Sequence, residues 1–185
     1  MHVLQYVAVK LENKIDDKYE VTEAMSDATQ EVNSTLLGDE RPYADWYDWF
    51  VVGGGRFLPG DDYKDNSDNC IPYATHPDQF NEILERQLSW RMDEAKRLAE
   101  EVKDIDFNEV VANYLEARGN TPNEIRFDMK IWSLGKLADL INDHWLSQSY
   151  FYDITNGTPH PAYMQKDIEE GNGDQWVLVP VDFHH

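Results

Sequence analysis

The stretch Trp176-Val177-Leu178-Val179-Pro180-Val181-Asp182-Phe183 is rich in β-branched and aromatic residues, and this composition predicts a strand. A glycine-rich segment at residues 171–174 precedes it and is expected to be flexible. Further upstream, residues 150–155 are a second strand candidate, and Asn156-Gly157 directly after them is a strong turn signal. The C-terminal part of the chain is therefore predicted to be β structure.

The N-terminal part contains two more strand candidates. Apolar residues recur between Val3 and Val9, and residues 46–52 are rich in aromatic and β-branched side chains before a run of three glycines. Between these strands, residues 20–32 are predicted to form a short helix with Thr22 as its N-terminal cap. Turn-forming clusters in residues 58–75 predict a loop after the second strand.

The middle third of the chain is predicted to be helical. Apolar residues recur at helical spacing from Pro77 to Val102. Asp106 and Glu109 form a capping box for a second helix that ends near Arg118. A third helix is favoured up to about residue 147, although apolar residues alternate over 125–131 as they would in a strand.

Four strand candidates around a helical block predict an α+β fold. We expect a small, mainly antiparallel sheet of about four strands, for which a ferredoxin-like arrangement is one option. The expected organisation is one domain of residues 1–185 with a long central helical insertion at about 77–148.

The charge of the chain is strongly negative. The 185 residues include 36 Asp or Glu and 16 Lys or Arg, which gives a formal net charge of -20. The acids are spread along the chain rather than gathered in a tail. Because DNA, RNA and anionic membranes recruit Lys and Arg, this surplus argues against direct binding to them. The charge fits a protein with a basic surface, a metal ion or no partner at all better than it fits nucleic acid.

Other features of the sequence concern the cellular setting. Cys70 is the single cysteine, so neither an internal disulfide nor a multi-cysteine zinc site can form. The N-terminal residues lack the basic and apolar regions of a signal peptide, and no apolar run approaches the roughly 20 residues that span a bilayer. We therefore expect a cytoplasmic protein without a membrane segment, and the sequence indicates no cofactor.

The glycine run is the first candidate site. Three consecutive glycines expose backbone amides, and the guanidinium of Arg56 follows them directly, which suits an anion such as phosphate. The candidate ligand-binding residues are Trp46, Trp49, Gly53, Gly54, Gly55 and Arg56. The alternative is a bend that serves only backbone geometry, with Phe57 and the tryptophans in the core and Arg56 paired to an acid.

A second candidate site lies near the C-terminus. Alternation along a strand places Asp182 and His184 on one face, where they are candidate metal ligands. His160 or His185 would supply a third ligand. The alternative is a solvated chain end in which Asp182 accepts backbone hydrogen bonds.

The helical block supplies candidate partner-binding residues. A spacing of four residues pairs Glu82 with Arg86, and Asp93 and Arg97 have the same spacing. The remaining acids can imitate the phosphate spacing of nucleic acid, and the candidates are Glu94, Glu100, Glu101 and Asp104. A solvated helix face is the alternative.

Two of these stretches carry a resemblance. Residues 46–57, Trp-Tyr-Asp-Trp-Phe-Val-Val-Gly-Gly-Gly-Arg-Phe, resemble the Trp-Asp-Trp-Tyr-x-x-Gly-Gly-Arg-Trp motif of a group of small proteins encoded by tailed bacteriophages. Residues 176–184 are similar to the closing strand of that group, which typically reads Val-Val-Asp-Cys-His. The chain departs from the pattern by one additional glycine, by Phe57 in place of Trp and by Phe183 in place of Cys. The resemblance implies a phage origin and a shared fold, without an established reaction.

Three hypotheses about function follow. The first is a phage accessory protein that binds and inhibits a host defence or nucleic-acid-processing protein, with nucleic-acid mimicry as one mode. The second is a binder of a phosphorylated small molecule or nucleotide signal at residues 53–56, with a tryptophan stacked on the base. The third is a metal-dependent hydrolase at Asp182 and His184. Because no nucleophile accompanies these residues, a non-enzymatic role is favoured.

Overall fold

The computed structural model describes residues 2–16, 19–38, 47–109, 129–142 and 151–184. The chain divides into two compact units, which we call the sheet unit and the helical unit. Residues 1–87 and 146–185 form the sheet unit, and residues 88–145 form the helical unit. The assignment of the whole chain to one domain stays a prediction.

The described residues form five strands and four α-helices of at least six residues. The strands are β1 (His2–Lys10), β2 (Trp49–Val52), β3 (Ile71–Pro72), β4 (Phe151–Asp153) and β5 (Trp176–His184). The helices are α1 (Val21–Leu37), α2 (Pro77–Val102), α3 (Met129–Asn142) and α4 (Ala162–Asp167). These helices and a mainly antiparallel mixed sheet confirm the predicted α+β class.

Strand β5 is central in the sheet, whose order is β2-β5-β1-β4. It pairs with β1 in antiparallel register over nine residue pairs, beginning with His184 opposite His2. On its other edge, β2 covers the C-terminal half of β5 and the short β3 covers the N-terminal half. Strand β4 runs parallel to β1. The two central strands of a ferredoxin-like sheet are parallel, whereas β1 and β5 are antiparallel, so the order found here differs from that option.

Both faces of β5 are covered, because its side chains alternate between two apolar cores. The odd-numbered residues from Val177 to Phe183 lie in the core that α1 covers, which we call the odd face. On the even face, Trp176 and Leu178 pack with Phe80 of α2 and Met164 of α4. Burial on both faces explains why residues 176–183 form a nearly continuous apolar run.

Helix α1 is longer than predicted and begins differently. Its N-cap residue is Glu20, which makes no side-chain capping hydrogen bond, so the prediction of Thr22 as the cap is wrong. The helix ends at Leu37 rather than near residue 32. Its buried residues are Ala24, Ala28, Val32 and Leu36. Because this stripe repeats every four residues up to Leu36, the packed face continues past the predicted end.

Three other segments differ from the sequence prediction. Residues 58–75, predicted as a loop, contain β3 and so supply the additional strand. Helix α4 was not predicted. Residues 171–174, expected to be flexible, belong to a π-helical turn at Ile168–Asn172 and a 3-10 turn at Gly173–Gln175. Gly173 is needed there, because a Cβ on it would lie 2.5 Å from the ring of Tyr73.

The helical block agrees with the sequence where it is described. Helix α2 begins at Pro77 and ends at Val102, as predicted. Asp106 accepts hydrogen bonds from the backbone N–H groups of Asn108 and Glu109, which confirms it as a helix cap. The remainder of that predicted helix lies outside the described residues, and α3 lies within the third predicted helix.

None of the helices in the described ranges is both long and apolar enough to span a membrane.

Candidate functional site

The two candidate sites at residues 46–57 and 182–184 meet at one end of the sheet. The strand register places Trp49 of β2 and His2 of β1 opposite His184, one on each side of β5. Asp182 precedes His184 by two residues on β5 and so lies on the same even face. We call these four residues, Trp49, His2, His184 and Asp182, the histidine cluster.

Asp182 is the buried carboxylate of this cluster. Its side chain has no exposed surface, and its Oδ1 lies 2.9 Å from Nδ1 of His2. The backbone N–H of Arg56 donates to Oδ2 at 3.3 Å. Because an ionised carboxylate can only accept, Nδ1 of His2 acts as the donor in this contact. These partners satisfy a buried charge that would otherwise be very costly.

The two histidine rings of the cluster are held by aromatic contacts. His184 stacks on Trp49 with ring centroids 5.0 Å apart and planes 12° apart. His2 meets His184 edge to face, with centroids 4.9 Å apart. Nδ1 of His184 is 3.5 Å from Oδ2 of Asp48 and makes no hydrogen bond within the described residues. The side chains of His2 and His184 are 17% and 31% exposed, so both imidazoles reach solvent.

The three glycines shape the backbone beside the cluster. Gly53, Gly54 and Gly55 have φ angles of 98°, 88° and 42°. A Cβ on Gly53 would lie 2.2 Å from the carbonyl oxygen of Asn66, and one on Gly55 would lie 2.7 Å from Oδ2 of Asp182. Positive φ and close approach both require glycine, which supports the backbone interpretation of this run. The anion that faces the Arg56 amide is the chain's own carboxylate.

The side chains after the glycines form an exposed rim. Phe57, which the alternative interpretation places in the core, is 45% exposed. Arg56 donates from Nη2 to the hydroxyl of Tyr63 at 3.2 Å and lies over that ring. Tyr63 also faces Trp49, with centroids 6.1 Å apart. The rim is therefore aromatic and cationic and adjoins the histidine cluster. The predicted ligand-binding residue Trp46 lies outside the described residues.

The metal hypothesis has two of its residues on one face. Asp182 and His184 share the even face, as their spacing predicts. Within the described ranges, no three or more His, Cys, Asp or Glu side chains are grouped so that they could hold a metal ion. His160 is exposed, and His185 lies outside the described residues. The metal site stays a prediction.

The acids of α2 that were predicted to bind a partner are largely engaged within their own helix. Glu94 accepts hydrogen bonds from Nε and Nη2 of Arg97 at 2.8 and 2.7 Å. Glu101 pairs with the same guanidinium, and Glu100 pairs with Lys103. The hydrogen bond from Arg97 lowers the pKa of Glu94. This face of the helical unit therefore compensates much of its own charge.

The remaining acids of that stretch are placed differently. Asp104 is exposed beyond the end of α2. Asp93, predicted to pair with Arg97, instead lies 3.6 Å from Lys96. Arg97 takes the carboxylates three residues before it and four residues after it.

Helix α1 of the sheet unit carries acids but no base of its own. Glu23, Asp27 and Glu31 recur every four residues and are exposed, and no Lys or Arg occurs in the sequence from Val21 to Leu37. The hydroxyl of Tyr19 donates to Asp27 at 2.6 Å. Burial, the hydrogen bond to Asp27 and the charge of Glu23 raise the pKa of Tyr19. Like charges at this spacing destabilise a helix, so the three carboxylates lower the stability of α1.

A cleft of about 520 Å³ adjoins this face. It is lined by the end of β1, by α1 and by residues after β4. Its apolar residues are Val9, Leu11 and Ile154, and its carboxylates are Glu12, Asp27 and Glu31. The base in the lining is Lys10, whose Nζ is held by Asp167 at 2.7 Å. Because Val9 and Leu11 are buried, the surface of the cleft is mainly polar and includes carboxylates, with Ile154 and the ring of Tyr19 as its partly exposed apolar parts.

Several residues of these sites were not found from the sequence. His2 contacts Asp182 across 180 positions, so local spacing gives no signal for the pair. Tyr63 lies in a turn and Asp48 directly precedes β2. The position of each side chain beside the cluster depends on tertiary packing, which local sequence does not predict. The acidic face of α1 could have been found from the sequence, because residues 21–37 contain no Lys or Arg.

No protein-family model matches the chain, and comparison with curated proteins and with solved structures yields no match. The resemblance of residues 46–57 and 176–184 to the tailed-phage group stays a prediction.

Proposed function

We propose that the chain is an acidic bacteriophage accessory protein that binds and inhibits a host protein through the basic surface of that protein. The observation that carries the proposal is the exposed face of α1. Its three carboxylates have no base on the same helix, whereas the α2 acids Glu94, Glu100 and Glu101 are paired. The phage origin rests on the resemblance of residues 46–57 and 176–184.

The cleft beside α1 is the proposed point of contact. The partly exposed Ile154 can contact the alkyl stem of a lysine or arginine, while Asp27 and Glu31 meet the cationic head. The ring of Tyr19 in the same lining adds a surface on which a guanidinium can lie. A basic side chain of the partner therefore fits the chemistry of the cleft.

The class of partner follows from the same charge. A net charge of -20 repels nucleic acid and attracts proteins that bind nucleic acid through Lys and Arg. Occupation of such a basic surface excludes the partner's own nucleic acid, which is the proposed mode of inhibition. Host defence and nucleic-acid-processing proteins belong to this class.

The proposed contact with the partner lies on α1, whereas the sequence alone suggested acids of α2. Binding through Glu94 or Glu101 would first require loss of the contacts to Arg97. The carboxylates of α1 have no such competitor on their helix, so they give a larger gain on meeting a partner's cations.

The experiment compares two isosteric triple variants with equal charge change. The test variant is Glu23→Gln, Asp27→Asn and Glu31→Gln on α1. The control is Asp78→Asn, Glu82→Gln and Glu85→Gln, which neutralises exposed acids of α2 in the same unit. A partner is captured from host lysate at low salt, purified, and its affinity for each variant is measured by calorimetry.

We expect the α1 variant to bind at least about tenfold more weakly and the control to bind within about twofold of the native protein. Added salt should weaken native binding. Equal losses in the two variants would refute the placement on α1. Absence of any salt-sensitive partner would refute the function.

The second hypothesis, a phosphorylated ligand at residues 53–56, is modified by the geometry. The Arg56 amide is directed at Asp182, so a phosphate at the glycines would meet a carboxylate. The exposed side chain of Arg56 is one donor that an anion can still reach.

A further inference from the structure

We propose that Asn156-Gly157 is a site of spontaneous covalent modification, at which the side-chain amide of Asn156 is converted to a carboxylate. The chain contains two Asn-Gly dipeptides, Asn156-Gly157 and Asn172-Gly173. The first lies in an exposed turn, and the second lies in a packed segment directly before β5. The proposal does not depend on partner binding, and it assigns the reaction to the first dipeptide rather than the second.

The reaction takes place within the dipeptide and needs only water. The backbone nitrogen of Gly157 loses its proton to hydroxide and forms a bond to Cγ of Asn156. The side-chain nitrogen takes a proton from water and leaves as ammonia, which gives a cyclic succinimide. Water then opens this ring at one of its two carbonyls and leaves either aspartate or isoaspartate at position 156. Glycine favours the first step, because it has no side chain that hinders the approach of the nitrogen.

The turn leaves the attacking nitrogen accessible. Asn156 and Gly157 are both exposed. Gly157 has a φ of 64°, and a Cβ built on it would meet only the hydroxyl of Tyr152, at 3.9 Å. Among the residues that the structure describes, the backbone N–H of Gly157 has no acceptor. The group that must react is therefore neither crowded nor held by a hydrogen bond.

One side-chain contact opposes the reaction at Asn156. Its Nδ2 donates to Oδ2 of Asp153 at 2.7 Å, and its backbone N–H donates to Oδ1 at 3.0 Å. The side chain must leave Asp153 before its carbonyl carbon can meet the nitrogen of Gly157. Because Asn156 is exposed, this movement is a local opening that leaves the apolar cores intact. The contact therefore slows the reaction without preventing it.

The second dipeptide is protected by packing. Gly173 is buried, and a Cβ on it would lie 2.5 Å from the ring of Tyr73. Its carbonyl accepts a hydrogen bond from the backbone N–H of Trp176, the first residue of β5. Nδ2 of Asn172 donates to Asp167 at 2.9 Å. Movement of this backbone would open the start of the central strand, which requires a much larger opening than the turn does.

The modification removes a donor from a buried carboxylate. Asp153 has no exposed surface, and in either product an oxygen acceptor replaces the Nδ2 donor of residue 156. In isoaspartate the main chain also gains a methylene group between Asp153 and Thr158. The backbone groups of these two residues pair at 2.8 and 3.1 Å, so the longer chain no longer fits the turn. The modified molecule is therefore less stable than the native one.

The test compares the two dipeptides in one sample. Native protein is aged at mildly alkaline pH and then digested at acidic pH, where the reaction is slow. Mass spectrometry and chromatography measure aspartate and isoaspartate at positions 156 and 172. We expect the reaction to be at least about tenfold faster at 156 than at 172 in the native protein. In urea, where packing is lost, the two rates should agree within about threefold.

Two glycine variants test the chemistry at matched backbone strain. Gly157→Ala places a methyl group beside the attacking nitrogen and should slow the reaction at Asn156 at least about tenfold. Gly171→Ala is the control, since Gly171 also has a positive φ and open space around it but lies outside the reacting dipeptide. It should leave the rate at Asn156 unchanged.

The effect on stability is measured with Asn156→Asp, which reproduces one product. It should unfold at a lower temperature than the native protein. The control with the same charge change is Asn13→Asp, at an exposed asparagine, which should unfold at the native temperature.

Equal rates at the two dipeptides in the native protein, or a faster rate at 172, would refute the assignment. So would an unmodified Asn156 in native protein under conditions in which the chain in urea reacts. Native stability of Asn156→Asp would refute the consequence for Asp153.

Discussion

Asp182 and Phe183 are neighbours on β5, and both are fully buried, yet they meet opposite surroundings. Phe183 points to the odd face, where the rings of Tyr47 and Phe50 lie 5.0 and 6.1 Å away. Asp182 points to the even face, where His2 and the Arg56 amide bind its carboxylate. One end of one strand therefore contributes apolar packing on one side and a polar, partly exposed cluster on the other.

The largest expected effect is on the odd face. Phe183→Ala removes a fully buried ring and should lower the free energy of unfolding by about 3–5 kcal/mol. Urea denaturation followed by circular dichroism measures the change. Phe57→Ala is the matched control, because that ring is 45% exposed and its loss should cost much less. Similar losses in the two variants would break the comparison.

The next effect tests how closely the backbone approaches Asp182. Gly55→Ala combines a positive φ with a Cβ only 2.7 Å from Oδ2 of Asp182, and should cost about 2–4 kcal/mol. Gly171→Ala also has a positive φ but meets nothing within 4 Å, so about 1–2 kcal/mol is expected. Thermal unfolding of both variants gives the difference. Equal costs would show that Asp182 does not restrict residue 55.

A smaller effect is expected for the pair His2 and Asp182. A double-mutant cycle with His2→Gln and Asp182→Asn should give a coupling free energy of about 1–2 kcal/mol, because the hydrogen bond is charged and mostly buried. The exposed pair Glu100 and Lys103 is the control, for which less than about 0.5 kcal/mol is expected. A coupling near zero for His2 and Asp182 would mean that the carboxylate does not hold the ring.

The smallest effect concerns Asp153, the other buried carboxylate on the even face of the described sheet. Burial raises the pKa of Asp153, although hydrogen bonds from Asn156 oppose this. A raised pKa means that Asp153 binds its proton more tightly in the native state than in the unfolded state. The stability that this proton binding contributes is therefore lost as the pH rises above the pKa of Asp153 in the unfolded state.

The corresponding measurement is urea denaturation of the native protein and of Asp153→Asn at pH 4 and at pH 7. The stability of the variant relative to the native protein should increase between these two values. A relative stability that is constant or falls with pH would contradict the burial argument.

Local periodicity was sufficient for some of the elements, such as α2 and β5, but not for the site. The bounds of α2 and the start of β5 follow from apolar spacing, because each element buries a stripe or a face of its own. The contacts of Asp182 join it to residues 126 and 180 positions away, and these depend on strand order and register. Neither property is encoded in a local pattern.

The two acidic helices show what a count of charge leaves out. Counting charge predicted a binding face on α2, but counting does not reveal which acids have bases within reach. In α1 the information was present, since a helix without any Lys or Arg cannot pair its acids internally. The distribution of bases, rather than the number of acids, separates the two faces.

The pairing of β1 with β5 has a consequence for synthesis of the protein. Lys10 at the end of β1 and Trp176 at the start of β5 are partners, although the whole helical unit lies between them in the chain. A nascent β1 therefore leaves the ribosome long before its central partner has been synthesised. Its apolar side chains and its backbone hydrogen-bonding groups stay exposed until β5 pairs with it. During that interval the exposed strand is open to aggregation, and a chaperone that covers it would raise the yield of folded protein.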